Sequence, residues 1–356
     1  IYAFNIFAVN YYRLKTDIRK LEREEIRDFC VKNDIKSYVS NQVFLWLWKK
    51  SCDSFDEMLN ISKENRNFFN DNFFINKLVT DYEEKSADGT IKLRFKLYDD
   101  NHVEGVLIPQ KNRMTACISS QAGCSLSCKF CATGTLGLKR NLTASEIYDQ
   151  VVMISKKSQE EYGLPLTNIV FMGMGEPLLN YKNVIKALHF ITSEEGLNMS
   201  HKRVTLSTSG IVKMIKKLAD DKVKVNLALS LHSVSEETRE KIMPVGKSNS
   251  LIELRDSLKY YFSLTKRKVT YEYVLLKDIN DSLEDAEKLY KFTKHMPSKI
   301  NLIEYNEVDS LNFKKSTKEK TELFMNYLEE NGVNVSIRRS RGKDINAACG
   351  QLANSN

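Results

Sequence analysis

The stretch RVTLSTSGIVKMIKKLADDKVKVNLALSLH, Arg203 to His232, decides the class of fold. Its two ends, RVTLSTSG and KVNLALSLH, are short, apolar and strand-like. IVKMIKKLAD between them has the apolar spacing of a helix. A strand, a helix and a second strand in succession imply parallel strands joined by a crossover. The alternation continues on both sides: NIVFMG (168–173), VTYEYVLL (269–276), KINLIEYN (299–306) and VNVSIRRS (333–340) read as strands. The segments between them read as helices, the first behind the capping box Thr143-Ala-Ser-Glu146. Six or so repeats predict a partial or complete α/β barrel. A doubly wound open sheet is the alternative, because strand order is not written in a sequence.

Upstream the pattern differs. LEREEIRDFCVKN (21–33), NQVFLWLWKK (41–50) and FDEMLNISKENRNFFNDNF (55–73) read as helices, with Val43, Trp46 and Leu47 on one stripe. Residues 17–85 are therefore expected to form a small helical accessory domain, equally suited to contact RNA or to cap the barrel. Cys30 and Cys52 stand alone in it and read as core residues. Residues 86–356 are assigned to the barrel. They open with the strand-like IKLRFKLYD (91–99), HVEGVLIP (102–109) and MTACISSQ (114–121), and close on a loop around Cys349. Residues 1–16 lack a starting Met, a basic leader and a cleavage site, and are expected to be an extension outside both domains.

A net charge of +8 suits a polyanionic partner, of which nucleic acid is the commonest. Seven cysteines at irregular spacing, four of them between Cys117 and Cys131, argue against a secreted disulfide framework. They point to metal or catalytic use in a reducing compartment, so a cytoplasmic protein is expected. No run of eighteen apolar residues occurs, so no membrane helix and no membrane partner are expected. A monomer is the expected state.

CSLSCKFC spaces Cys124, Cys128 and Cys131 as C-x3-C-x2-C on one tight loop. Zinc would need a fourth ligand, for which Cys117 is the nearest candidate. A [4Fe–4S] cluster held by three cysteines, with one iron left open, is the better fit. With Phe130 before its last cysteine, the loop resembles the signature of radical S-adenosylmethionine enzymes. CISSQAGCSLSCKFCATG (117–134), FMGMGEPLLN (171–180), RVTLSTSG (203–210), LALSLHS (227–233), INLIEYN (300–306) and RGKDINAACGQL (341–352) stand in the order found in the RlmN/Cfr family of adenosine methyltransferases. The resemblance runs from about Asp17 to the end and includes NQVFLWLW (41–48). It implies a partial (β/α)6 radical SAM barrel. Pro177 in GMGEPLLN resembles the branch that methylates adenine C2; relatives acting on C8 tend to carry alanine there.

Ligands of an α/β barrel gather at the C-terminal ends of its strands. By resemblance, Gly175, Glu176, Ser207, Ser230, Leu231, His232 and Asn306, all at or just beyond predicted strand ends, contact S-adenosylmethionine. Adenine C2 carries a C–H bond and no usable lone pair, so it cannot attack a methyl sulfonium; a carbon radical can add there. The family resemblance implies that Cys349 is methylated first. A 5′-deoxyadenosyl radical then removes hydrogen from its S-methyl group, and the S-methylene radical adds to C2. Glu104 matches the family's base for the C2 proton. Cys117 matches the cysteine that releases the RNA by forming a disulfide with Cys349, which must then be reduced. Implied partners are 23S rRNA, tRNA and an electron donor such as flavodoxin or ferredoxin. Arg338, Arg339, Arg341, Lys343, Lys139 and Arg140 are candidates to hold RNA phosphates. Gly342 and Gly350 bracket the Cys349 segment as potential pivots.

Overall fold

The structure, a computed structural model, describes residues 15–308 and 311–354. The extension expected over residues 1–16 lies outside the described residues as far as residue 14. Thr16 already belongs to the fold, since Thr16 and Asp17 pair in parallel with Phe73 and Phe74.

Ten strands form one sheet: β1 (Val79–Lys85), β2 (Ile91–Lys96), β3 (His102–Gln110), β4 (Arg113–Cys117), β5 (Asn168–Phe171), β6 (Val204–Thr208), β7 (Asn226–Ser230), β8 (Val269–Leu275), β9 (Ser298–Glu304) and β10 (Val335–Arg338). They lie side by side in chain order. From β4 to β10 every pair is parallel, while β1 to β4 pair antiparallel as a meander. A doubly wound sheet reverses its strand order at a switch point. This order never reverses, and β10 does not pair with β4, so the sheet is a barrel left open along one side.

Alternation along each strand sorts the side chains. Ile169, Leu206, Leu227, Tyr271, Ile300 and Leu302 face outward and are buried under the crossover helices. Those helices are α4 (Ala144–Tyr162), α5 (Tyr181–Thr192), α6 (Val212–Asp220), α7 (Leu251–Thr265), α8 (Leu283–Thr293) and α9 (Lys318–Glu330). The capping box at α4 is present: Glu146 N donates to Thr143 Oγ1 at 3.3 Å, and Thr143 N donates to Glu146 Oε2 at 2.8 Å.

The N-terminal helices Arg23–Lys32, Tyr38–Trp48 and Lys63–Asn72 pack onto α4 and α5, and one apolar core runs through both regions. Trp48 stacks on Phe190 of α5 with centroids 3.8 Å apart and planes 9° off parallel. Buried Arg19 forks onto Asp149 of α4 at 2.6 and 2.8 Å. Of the expected stripe, Val43 and Leu47 are buried and Trp46 packs half-buried against the core, its indole N–H donating to Asn60; the adjacent Trp48 is buried as well. Helix ends at Asn72, and Val79–Lys85 is the outermost strand of the meander. Its residues alternate between exposed and half-buried, so VTDYEEK carries no apolar face to announce a strand. Among the described residues no helix is long and apolar enough to cross a membrane.

Candidate active site

β4 ends at Cys117, and the chain crosses the barrel mouth into the cysteine loop. The loop is anchored from both sides. Leu126, Cys128 and Phe130 pack against Ile242, Met243, Val274 and Tyr305, and Lys129 N donates to Ile242 O at 2.9 Å. Gly134 lets the turn close: a Cβ there would stand 2.8 Å from the Cys128 carbonyl.

A cavity of about 180 Å³ lies over the strand ends, and Cys124, Cys128 and Cys131 all line it. Burial pushes the three thiols up, Cys124 to about 11, and neighbouring thiols push Cys128 further in the same direction. Three thiolates will share this pocket only with a cation among them. Among the described residues no three Cys, His, Asp or Glu side chains are gathered closely enough for a single metal ion. Three thiols spread around one cavity fit a multi-iron cluster with an open iron better than a closed four-ligand zinc site.

The same cavity is lined by Gly175, Glu176, Ser207, Ser230, His232 and Asn306, and by Cys349. Leu231 does not line it; the side chain is fully buried in the main core, one residue out of phase with Ser230. Glu176 has both oxygens engaged. Oε1 accepts from Leu178 N (3.1 Å) and Thr208 Oγ1 (2.7 Å), and Oε2 from Ser209 N (2.8 Å) and Ser209 Oγ (2.6 Å). The carboxylate therefore fixes the Gly175–Pro177 loop onto the end of β6, even though burial raises its pKa.

His232 adopts φ +57° and accepts from Val274 N at Nδ1, 3.0 Å away. That bond leaves the proton on Nε2. Burial, with Arg239 adding to it, lowers the imidazole to about 3, so His232 is a neutral N–H donor. Sequence gave no sign of Arg239, which sits in EETREKI and reads as part of a solvated face. It is fully buried, donates to Ser209 O at 2.7 Å, and leaves Nε without a partner. Its charge faces Cys128 and would offset the negative charge of an iron–sulfur cluster.

Cys349 lies on a loop drawn across the mouth. Asn306 Nδ2 donates to Cys349 O (3.2 Å), Ala132 N to Gly350 O (2.7 Å) and Thr133 Oγ1 to Leu352 O (2.6 Å). Gly342 and Gly350 both take positive φ, +65° and +85°, and a Cβ on Gly342 would come within 2.9 Å of Thr90. Cys117 lines a second cavity, inside the barrel, and Cys349 lines both. Burial, then the neighbouring Cys349 thiol, push the Cys117 thiol up to about 12, while Arg338 opposes the shift. Both cysteines are free thiols.

Glu104 is not brought into either cavity. It is 1% exposed, so it is no surface acid, and its Oε2 accepts from Ala353 N (2.9 Å) and Asn354 N (3.1 Å). The chain just after the Cys349 loop thus covers the carboxylate. Burial pushes Glu104 above the usual carboxylate range, with the two amides and Lys92 pulling the other way.

Of the basic residues, Arg140 is clamped by Asp99 (2.6 and 3.0 Å) and Glu146 (2.8 Å twice). Arg338 points inward, 3.0 Å from Met172 Sδ and 3.9 Å from Glu272. Lys343 pairs with Glu304 at 3.2 Å, and Arg341 stands 3.9 Å from Asp88. Lys139 and Arg339 are exposed and have no ion pair among the described residues.

The radical SAM superfamily model matches residues 118–293, and that of the ribosomal RNA large subunit methyltransferase N-terminal domain matches residues 16–75. A relative from Christiangramia forsetii, described as a probable dual-specificity RNA methyltransferase RlmN, is 55% identical over 96% of this chain and 97% of its own. One from Salinibacter ruber with the same description is 42% identical over 96% and 94%. The crystal structure of a radical SAM methyltransferase from Sphaerobacter thermophilus superimposes with a TM-score of 0.88 at 36% identity, covering 95% of this chain and 99% of that one. With this barrel, this cysteine loop and near-full-length identity of this order, the chain is a methyltransferase and belongs to the RlmN family of radical SAM enzymes.

Proposed function

We propose that the protein methylates C2 of adenosine in 23S rRNA and in tRNA, in the cytoplasm, through a methyl group carried on Cys349. The observation that carries this reading is the position of Cys349, whose side chain borders the three-cysteine cavity and the Cys117 cavity at once. When bound, the [4Fe–4S] cluster and S-adenosylmethionine supply an electron, a methyl group and a carbon radical; a flavodoxin or ferredoxin is the proposed donor of the electron. Cys124, Cys128 and Cys131 would hold the cluster. Gly175, Ser207, Ser230, His232 and Asn306 would bind and orient S-adenosylmethionine, with neutral His232 as a donor and the unpaired buried Asn306 Oδ1 as an acceptor. Cys349 then bonds to C2 through its methylene carbon. Glu104 takes the C2 proton once the tail that covers it withdraws, and one electron leaves the adduct for the redox partner. Cys117 attacks the Cys349 sulfur as the carbon–sulfur bond breaks; the freed carbon keeps that electron pair and takes up a proton to become the product's methyl group. The dual-specificity description of the relatives supports two RNA substrates.

Nucleoside mass spectrometry after anaerobic reconstitution with S-adenosylmethionine and RNA should show 2-methyladenosine; 8-methyladenosine, or no methylated adenosine, would refute the assignment. Glu104→Gln should slow product release about 10²-fold or more, the scale of a lost general base, with a covalent protein–RNA adduct building up. Turnover at the normal rate would remove Glu104 from the mechanism.

A further inference from the structure

Closed α/β barrels are filled with bulky aliphatic side chains. This barrel is hollow. Its inward positions carry Thr115, Thr205, Thr270, Lys299, Asn301 and Ser336, and they enclose a cavity of about 560 Å³. That volume falls in the range of small-molecule sites. The wall is cationic: among the described residues that line it, Arg113, Lys299, Arg338, Arg339 and Arg341 accompany one acid, Glu272, with Asp88 3.9 Å from Arg341 outside the lining. Glu272 is 3% exposed, and its Oε2 has no hydrogen-bond partner. Arg113 and Lys299 have no ion pair among the described residues, and Arg113 is exposed at the N-terminal end of β4.

The cavity also reaches the reactive thiols from below. Cys117 lines it and does not line the upper cavity, whereas Cys349 lines both. The upper side is crossed by the Cys349 loop, tied to Ala132, Thr133 and Asn306. On the proposed function, on which this inference rests, each turnover ends with a Cys117–Cys349 disulfide. A reductant has to reach it, and the open side of the barrel is a route that leaves the mouth undisturbed.

We propose that the barrel lumen is a binding site for a small anionic thiol, one bearing a carboxylate or sulfonate, that reduces the Cys117–Cys349 disulfide between turnovers. The thiolate attacks the Cys117 sulfur, forming a mixed disulfide and breaking the Cys117–Cys349 bond. Cys349 leaves as a thiolate beside the Arg338 guanidinium. A second thiol attacks the mixed disulfide and departs as the oxidised small-molecule disulfide, releasing Cys117. The two thiol protons end on Cys117 and Cys349, and two electrons pass to the enzyme.

The test uses enzyme that has turned over, with its Cys117–Cys349 bond verified by mass spectrometry. Reduction rates are compared for 2-mercaptoethanesulfonate and cysteamine, each corrected to its thiolate fraction. The anionic thiol should be favoured about tenfold at low ionic strength, and the preference should shrink as salt is raised. Lys299→Glu with Arg113→Glu should invert the preference. Saturating substrate RNA should leave reduction by the sulfonate thiol proceeding. Equal rates for the two thiols, an unchanged preference in the double variant, or full protection by RNA would each overturn the lumen site. Absence of the disulfide after turnover would instead sink the carrier reading, and this inference with it.

Discussion

Cys349→Ala should give a folded protein that still binds its iron–sulfur cluster but methylates no RNA, a loss of about 10⁴-fold or more, as when a covalent carrier is removed. The side chain is half-buried, and the ties holding its loop run to the carbonyls of Cys349, Gly350 and Leu352. Alanine therefore keeps the loop in place and takes away only sulfur. Two labels separate the carrier role from a structural one. With S-adenosylmethionine carrying a labelled methyl group, the wild-type protein should acquire label on one cysteine before any RNA is added, and the variant should acquire none. RNA methylation by the alanine variant, or a labelled protein lacking Cys349, would end the carrier reading.

In Cys117→Ala the failure should come one step later. The variant should react once with RNA and stop, with protein and RNA covalently joined in nearly stoichiometric amounts. Cys117 is 5% exposed at the end of β4, so loss of one sulfur atom there costs about 1 kcal/mol and leaves the barrel intact. Its thiol is pushed up to about 12, chiefly by burial, so thiolate is scarce at neutral pH. In the wild-type enzyme, release of the RNA should therefore speed up about tenfold per pH unit through the neutral range, following the thiolate fraction. The alanine variant should show no such slope. An active variant without an adduct would mean that another group resolves the intermediate.

The barrel was legible because its information is local. Each strand and helix carries its own periodicity, and chain order turned out to be spatial order. The openness of the barrel was implied by resemblance alone, because it depends on whether β10 and β4 meet, which no local pattern records. VTDYEEK escaped notice for lack of an apolar face. At the site, Cys124 was read from spacing and Ser207 and Asn306 from resemblance; that they line one cavity was not derivable from either. Arg239 was missed because a buried cation in a charged helix resembles its exposed neighbours. Leu231 falls outside the cavity for an elementary reason: in a strand ending, residues one apart point opposite ways. The clamp of Ala353 and Asn354 over Glu104 joins positions some 250 apart, beyond any pattern in the chain.

The continuous core beneath the N-terminal helices bears on how they can be exchanged between relatives. Trp48 lies flat on Phe190, Tyr148 donates its hydroxyl proton to the Trp48 carbonyl, and Arg19 is buried against Asp149. A helical segment joined in this way is not an exchangeable attachment. A chimera that grafts these helices onto another barrel would leave Asp149 without its cation and Phe190 without its cover. Recombination that moves these helices from one barrel to another must therefore carry the outer faces of α4 and α5 along with them.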